Sequence, residues 1–259
     1  MFDIGVNLTS SRFKKDYLDV LERARSAGIT GMVITGTNIS DSKKALNLSK
    51  QNLNYCWSTA GVHPHYANRW SEDSNGELRS LASEPQVVAI GECGLDFNRN
   101  FSEPKQQCYV FQAQLELAVE LNLPVFLHCR QAHNSFMSLL KPFIPQIKGA
   151  VLHCFTGTYK ELRSYLDENL FIGITGWVSD QNRGRELRKL IPLIPSTHLL
   201  LETDAPWLLP QDIYPSPLSK RNEPSFLSYI LQKVAFLRKE VETELEIQTT
   251  LNAHKFFSI

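Results

Sequence analysis

The sequence predicts a (β/α)8 TIM barrel, an α/β fold built as a single domain over residues 1–259. Three observations carry the prediction. Eight short apolar runs alternate strictly with amphipathic stretches, the order that parallel pairing with helical crossovers requires. No linker, repeat or low-complexity tract divides the chain. Reactive residues recur at the carboxyl ends of the apolar runs, in GVHPH (61–65), VVAIGECGLDF (87–97), VFLHCR (125–130), VLHCFTG (151–157) and LLLETDAP (199–206). Barrel enzymes carry their chemistry at those ends. A doubly wound open sheet shares the alternation, but no Gly-x-Gly-x-x-Gly turn follows the first strand.

A strand at 2–8 opens the chain, and Phe13, Tyr17, Val20, Leu21 and Ala24 give the helix behind it an apolar face. Gly28–Asn38 is the second strand, with Ser40-Asp41 as the cap of the next helix. The third strand runs from Tyr55 into His63-Pro64-His65, and a short helix near 76–83 precedes the fourth, Val87–Phe97. Ser102-Glu103-Pro104 starts a long helix in which Cys108, Phe111, Leu115 and Ala118 recur every three or four residues. Asn122 ends that helix and Pro124 opens the fifth strand. Helices near 131–141, 159–168 and 183–190 lead to the strands GAVLHCFTG, LFIGITG and HLLLETDAP. A Pro-rich loop, 208–224, separates the eighth strand from closing helices at about 224–238 and 242–257.

Strand side chains alternate between faces, so the reactive positions can be sorted. Ile90, Glu92 and Gly94 share one face, as do Phe126 with His128, Val151 with His153, and Leu200 with Glu202 and Asp204. If these faces point to the barrel axis, Glu92, His128, His153, Glu202 and Asp204 converge on one mouth. Cys93, Cys129 and Cys154 then point outward as small buried hydrophobes rather than thiolate ligands. Two imidazoles with two or three carboxylates suit Zn²⁺, Mn²⁺, Fe²⁺ or Mg²⁺ and do not choose among them. Hydrolysis follows, because a bound divalent cation brings the pKa of water toward neutrality and polarises the electrophile. Asp204 is placed to take the water's proton or hold the metal, and Glu202 to bridge to it or orient a histidine. His63 is a candidate for binding a substrate oxygen or protonating the leaving group, with His65 held more loosely beyond Pro64. Arg130 and the run Lys220-Arg221-Asn222 suit a phosphate, and Phe97, Phe155, Trp177 and Trp207 could stack bases.

The composition excludes other classes. Hydrophobic residues make up 42% and charged residues 21%, and 27 basic residues balance 27 acidic ones. No global field draws the protein to a polyanion, so any nucleic acid must be held by a local patch. The expected salt dependence of nucleic-acid binding is therefore shallow. A slope corresponding to about six or more phosphate contacts would contradict this reading. No apolar run could span a bilayer, the opening MFDIGVNLTS is unlike a signal sequence, and five cysteines read as reduced thiols of a cytoplasmic protein.

Gly61-Val-His-Pro-His65, Gly91-Glu-Cys-Gly-Leu-Asp96, Val125-Phe-Leu-His-Cys-Arg130, His153-Cys-Phe-Thr-Gly157, Glu202-Thr-Asp-Ala-Pro206 and Arg221-Asn-Glu-Pro224 occur in this order along the chain. The series resembles the TatD family of metal-dependent deoxyribonucleases. The resemblance implies an amidohydrolase-like barrel and a cytoplasmic, Mg²⁺-dependent 3′→5′ exonuclease acting on single-stranded DNA and also RNA, with a role in DNA repair. It implies metal ligation by Glu92, His128 and His153, a metal or catalytic role for Asp204, and active-site places for His63 and Glu202. Arg130, Arg221 and Asn222 are the expected substrate contacts, and a monomer without an obligate protein or membrane partner is expected. Most of the family has His-x-His at the end of the first strand, where this chain has Gly5 and Asn7. One tightly bound ion is therefore expected, Mg²⁺ first, with Mn²⁺ or Zn²⁺ compatible; a second could arrive with substrate phosphate. Two further readings fit the same residues: a hydrolase of a lactone, amide or phosphotriester, and a catalytically retired barrel that binds nucleic acid.

Overall fold

The computed structural model describes residues 1–217 and 219–259. Strands β1 (Phe2–Val6), β2 (Gly31–Ile34), β3 (Cys56–Ala60), β4 (Val87–Asp96), β5 (Val125–Arg130), β6 (Ala150–Leu152), β7 (Phe171–Ile174) and β8 (Leu199–Leu201) pair in parallel, in chain order. The seam closes just beyond β1 and β8. There Asp204 N–H donates to Gly5 O (2.9 Å) and Asn7 N–H donates to Ala205 O (2.7 Å). Around the strands lie α1 (Tyr17–Ser26), α2 (Ile39–Gln51), α3 (Ser74–Ala82), α4 (Pro104–Glu120), α5 (His133–Leu140), α6 (Tyr159–Asp167), α7 (Arg185–Leu190), α8 (Leu227–Arg238) and α9 (Glu242–Phe257). The expected barrel is the observed one. None of the described helices is long and apolar enough to cross a membrane.

Several element ends differ from expectation for local reasons. Phe13 is fully buried but sits in turns ahead of α1. The cap of α2 is Asn38, whose side chain accepts from Asp41 N–H at 3.0 Å, so Ser40 and Asp41 belong to the first turn. Strands β6 and β8 stop short of the apolar runs that announce them. Past them Cys154 and Asp204 take positive φ values of 47° and 54°. Non-glycine residues in that region persist only where neighbours hold them, and here the turns deliver the side chains of the site. The loop 208–224 is described apart from Leu218.

Inside the barrel, Ile4, Val33, Val88, Phe126, Val151 and Leu200 pack together, and Phe256 and Phe257 of α9 join them. Phe126, Val151 and Leu200 are the residues two positions before His128, His153 and Glu202, so alternation holds on β5, β6 and β8. It fails on β4. Ile90 packs in the outer layer with Cys93 and Leu95 rather than sharing a face with Glu92. The pairing register with β5 slips between Gly91 and Cys93, and the extra residue resets the alternation.

Asp3 of β1 has no exposed surface. Its Oδ1 accepts from Gly5 N–H (3.2 Å) and Thr203 N–H (3.0 Å), and its Oδ2 accepts from the Thr203 hydroxyl (2.6 Å), tying the ends of the barrel together. Burial pushes its carboxyl up to about 7, against the pull of the Thr203 and Gly5 hydrogen bonds. The folded state thus keeps a proton that the unfolded chain has released above about pH 4. Asp3 therefore weakens the fold progressively as pH rises from about 4 to about 7, with no further loss above. Asp3→Asn keeps an acceptor for both N–H groups. Its advantage in urea-unfolding midpoint over the parent should grow across that window and then level off; a constant difference would refute the assignment.

Candidate active site

A cavity of about 840 Å³ opens at the carboxyl ends of the strands, with His63, Glu92, His128, Arg130, His153 and Asp204 among its walls. Six of the expected residues are thus brought together from five strand ends. Glu92 lies at the centre. Its Oε1 is 3.0 Å from His153 Nε2, 3.1 Å from His128 Nδ1 and 3.3 Å from His63 Nε2. Burial works against a charge on Glu92, yet His153, His63 and His128 outweigh it and hold the carboxyl well below its ordinary range.

Hydrogen-bond partners fix what each imidazole offers. Glu202 Oε2 lies 3.1 Å from His153 Nδ1, and a buried carboxylate there makes Nδ1 an N–H, so Nε2, 3.0 Å from Glu92 Oε1, is the nitrogen open to a cation once its proton is released. This carboxylate–histidine pairing is how proteins orient a metal-binding imidazole. Burial opposes protonation of His153, but Glu92 and Glu202 raise its pKa well above the usual value, so cation binding there would release a proton. His63 is different. Its Nδ1 accepts the backbone N–H of His65 (3.1 Å), so the hydrogen sits on Nε2 and points into the site. Burial lowers its pKa to about 4, keeping it a neutral N–H donor. His128 Nε2 is buried, 3.5 Å from Asp96 Oδ2, and without a hydrogen bond.

Of the two tasks expected of Glu202, bridging to the site or orienting a histidine, its place behind His153 fits the second. The side chain is fully buried and also accepts from Cys154 N–H at 2.6 Å. Its carboxylate fills the space where a Cβ on Gly5 or on Gly173 would lie. A histidine at position 5 has no room while Glu202 keeps this pose, which gives the missing His-x-His a structural reason. Glu202 thus sits where it can orient His153.

Asp204 faces the cavity from the turn after β8, with Oδ1 accepting from Asn7 Nδ2 at 2.8 Å. Burial pushes its carboxyl up to about 7; His153 pulls it down, while Glu92 and Glu202 add to the rise. Asn7, expected only as a lost ligand, is the hydrogen-bond partner that steadies Asp204.

Sequence reasoning gave no role to Asp96. It is buried, its Oδ2 lies 2.7 Å from His65 Nε2, and its Oδ1 accepts the N–H groups of Asn98 and Arg99 (2.9 and 2.8 Å). The signal available was its place four residues after Glu92 on the same strand. His65, given little weight, is fixed by this pair rather than loose.

Two expected substrate contacts are placed elsewhere. Arg221 forms ion pairs with Asp16 (2.7 Å) and Glu223 (2.6 Å) and donates to Arg12 O (2.7 Å), leaving 16% of its side chain exposed. Asn222 is fully buried and donates to Thr203 O at 2.9 Å. Neither is in the cavity wall. Each instead pins a loop that reaches the site: Asp16, Glu223 and Arg12 O engage both terminal nitrogens of Arg221, and its Nε is buried away from the cavity. Arg221→Ala should cost about 2 kcal/mol of stability, since it removes several charge-assisted hydrogen bonds and leaves Asp16 and Glu223 with Arg23 as their remaining partner. A melting temperature unchanged from the parent would return Arg221 to the substrate-binding set.

Of the three thiols expected to face outward, Cys93 and Cys129 do so, the Cys129 Sγ lying 3.5 Å from the Tyr165 hydroxyl of α6 although the residue also borders the cavity, whereas Cys154 departs. Cys154 is turned inward by its positive φ. Burial raises the Cys129 thiol to about 11 and that of Cys154 to about 12, so neither is a thiolate ligand near neutral pH. The donor set fits a divalent cation on chemical grounds. Imidazole nitrogens of His128 and His153 meet the Glu92 carboxylate oxygen, with His153 Nε2 available to a cation once its proton is released, while His63 keeps its Nε2 hydrogen.

A parallel eight-stranded barrel with histidines and carboxylates gathered at its carboxyl-end mouth defines a hydrolase with a candidate metal centre. Comparison with known proteins makes the class specific. The family described as TatD related DNase matches residues 2–258, and the chain belongs to that family. A protein of Erwinia tasmaniensis named 3′-5′ ssDNA/RNA exonuclease TatD is 63% identical over 259 residues, 100% of both chains. Among solved structures, a TatD homologue from Escherichia coli K12 is similar at 26% identity and a TM-score of 0.89, covering 100% of this chain and 98% of that one. An uncharacterized amidohydrolase from Saccharomyces cerevisiae has a TM-score of 0.88 at 24% identity, over 98% and 99%, and speaks to the fold alone.

Proposed function

We propose that the protein is a metal-dependent 3′→5′ exonuclease of single-stranded DNA and RNA, using one tightly held divalent ion, Mg²⁺ in the cell. The observation that carries the reading is the Glu92 oxygen ringed by imidazoles beside a cavity-facing Asp204. The names of the curated relatives support the substrate and polarity.

Glu92, His128 and His153 would hold the ion, which would supply Lewis acidity to the phosphoryl group and a more acidic water. Asp204, with a carboxyl near neutrality, accepts the proton of the attacking water while Asn7 keeps its other oxygen engaged. His63, locked as an N–H donor, stabilises negative charge developing on a phosphoryl oxygen. Arg130, in the cavity wall, supplies paired donors to a neighbouring phosphate.

Incubation with Mg²⁺ and a 5′-labelled single strand should produce a ladder of shortening products, the label remaining on the longest-lived ends. No ladder, together with turnover of a small lactone or phosphotriester, would replace this reading. A cytoplasmic location and a monomeric state are included in the proposal. A DNA-repair role is also part of it. A strain lacking the enzyme should be sensitised to DNA damage and rescued by the parent but not by Glu92→Gln.

A further inference from the structure

Two tryptophans at the cavity mouth each carry a guanidinium. Trp207, 50% exposed and just past β8, has Arg12 5.3 Å from its ring centre, and Arg12 is tethered by a 3.2 Å hydrogen bond to Pro206 O. Trp177, just past β7, has Arg183 at 4.5 Å, with Arg183 Nε fixed 3.0 Å from Asp180 Oδ2. All four line the same cavity as Glu92 and Asp204. The other two aromatics that the sequence offered for stacking do not join them. Phe155 is buried, and Phe97 borders a separate hollow beside α5 and α6.

Because β7, β8 and β1 follow one another around the sheet, both pairs stand on one arc of the mouth. The Trp207 backbone N–H donates to Asp204 O (3.0 Å), which sets the indole at a fixed height from the reacting carboxylate. Arg221 holds the Arg12 backbone from behind. A guanidinium against an aromatic face stiffens both groups, since each loses rotamer freedom to a cation–π contact. Indole rings stack on any base, and they need a base free of duplex neighbours.

We infer that Trp177 and Trp207 are stacking subsites for unpaired bases of the strand being trimmed, with Arg183 and Arg12 gripping the phosphates between them. The inference rests on the nuclease reading and adds the reason for a preference for single strands of some length.

The test is the ratio of kcat/KM for a hexanucleotide to that for a dinucleotide, measured for the parent, Trp177→Ala, Trp207→Ala and the double variant. Each alanine variant should lower the ratio about tenfold through KM, equally on oligo-dT and oligo-dA. Trp177→Phe and Trp207→Phe, which keep a π face, should retain most of it. An unchanged ratio, or a phenylalanine variant as impaired as the alanine one, overturns the inference while leaving the nuclease reading intact. A parent that cleaves neither substrate overturns both.

Discussion

Glu92→Gln lowers kcat on the order of 10³-fold or more while leaving the barrel folded. The amide is nearly isosteric, so packing between β4 and β5 survives. What changes is charge. The one oxygen shared by His63, His128 and His153 loses its negative charge, and half of the new head group is a donor facing donors. Divalent-cation affinity falls with activity, and by more than the 10- to 100-fold that loss of an outer hydrogen-bond partner of a ligand typically costs. Calorimetric Mn²⁺ titration and circular dichroism on the same sample separate the two effects. Activity within about tenfold of the parent would show that Glu92 is not the centre of the site.

The second large effect falls on stability. Gly94 has φ of 140°, and a Cβ added there would coincide with His128 O, a backbone atom of the neighbouring strand. Neither a rotamer change nor a side-chain shift relieves that overlap, so β4 and β5 must separate. Gly94→Ala should cost more than about 3 kcal/mol, combining positive-φ strain with a lost ladder contact. The pairs Gly94–His128 and Asp96–Arg130 lie in that ladder, so cation binding should weaken too. An alanine variant as stable as the parent in urea would mean the strands approach less closely than described.

The Gly-Glu-Cys-Gly stretch shows why part of the site was legible in the sequence and part was not. A carboxylate at the end of an apolar run, repeated as histidine or carboxylate on neighbouring runs, is a one-dimensional signal, and alternation placed His128, His153 and Glu202 by counting in twos. The bulge at Gly91–Cys93 depends on how β4 meets β5, so Ile90 was assigned to the wrong face. Arg221 and Asn222 were legible as a motif but not as a location. Chemistry that suits a phosphate also suits Asp16 and Glu223, and only the packed loops decide between them. The exchange at position 5 was visible as a loss. Its meaning required Glu202, nearly the whole chain away, to be seen occupying the same space. For His63 the sequence leaves the tautomer open, and the His65 backbone N–H fixes it as an Nε2 donor.

Anomalous diffraction from crystals soaked in Mn²⁺ tests the central claim most directly. The account predicts one dominant peak in the cavity, about 2.1–2.3 Å from Glu92 and from the Nε2 of His153, with His128 completing the set. A cavity without a peak at saturating Mn²⁺, or a sole peak more than about 4 Å from both Glu92 and His153, would contradict it.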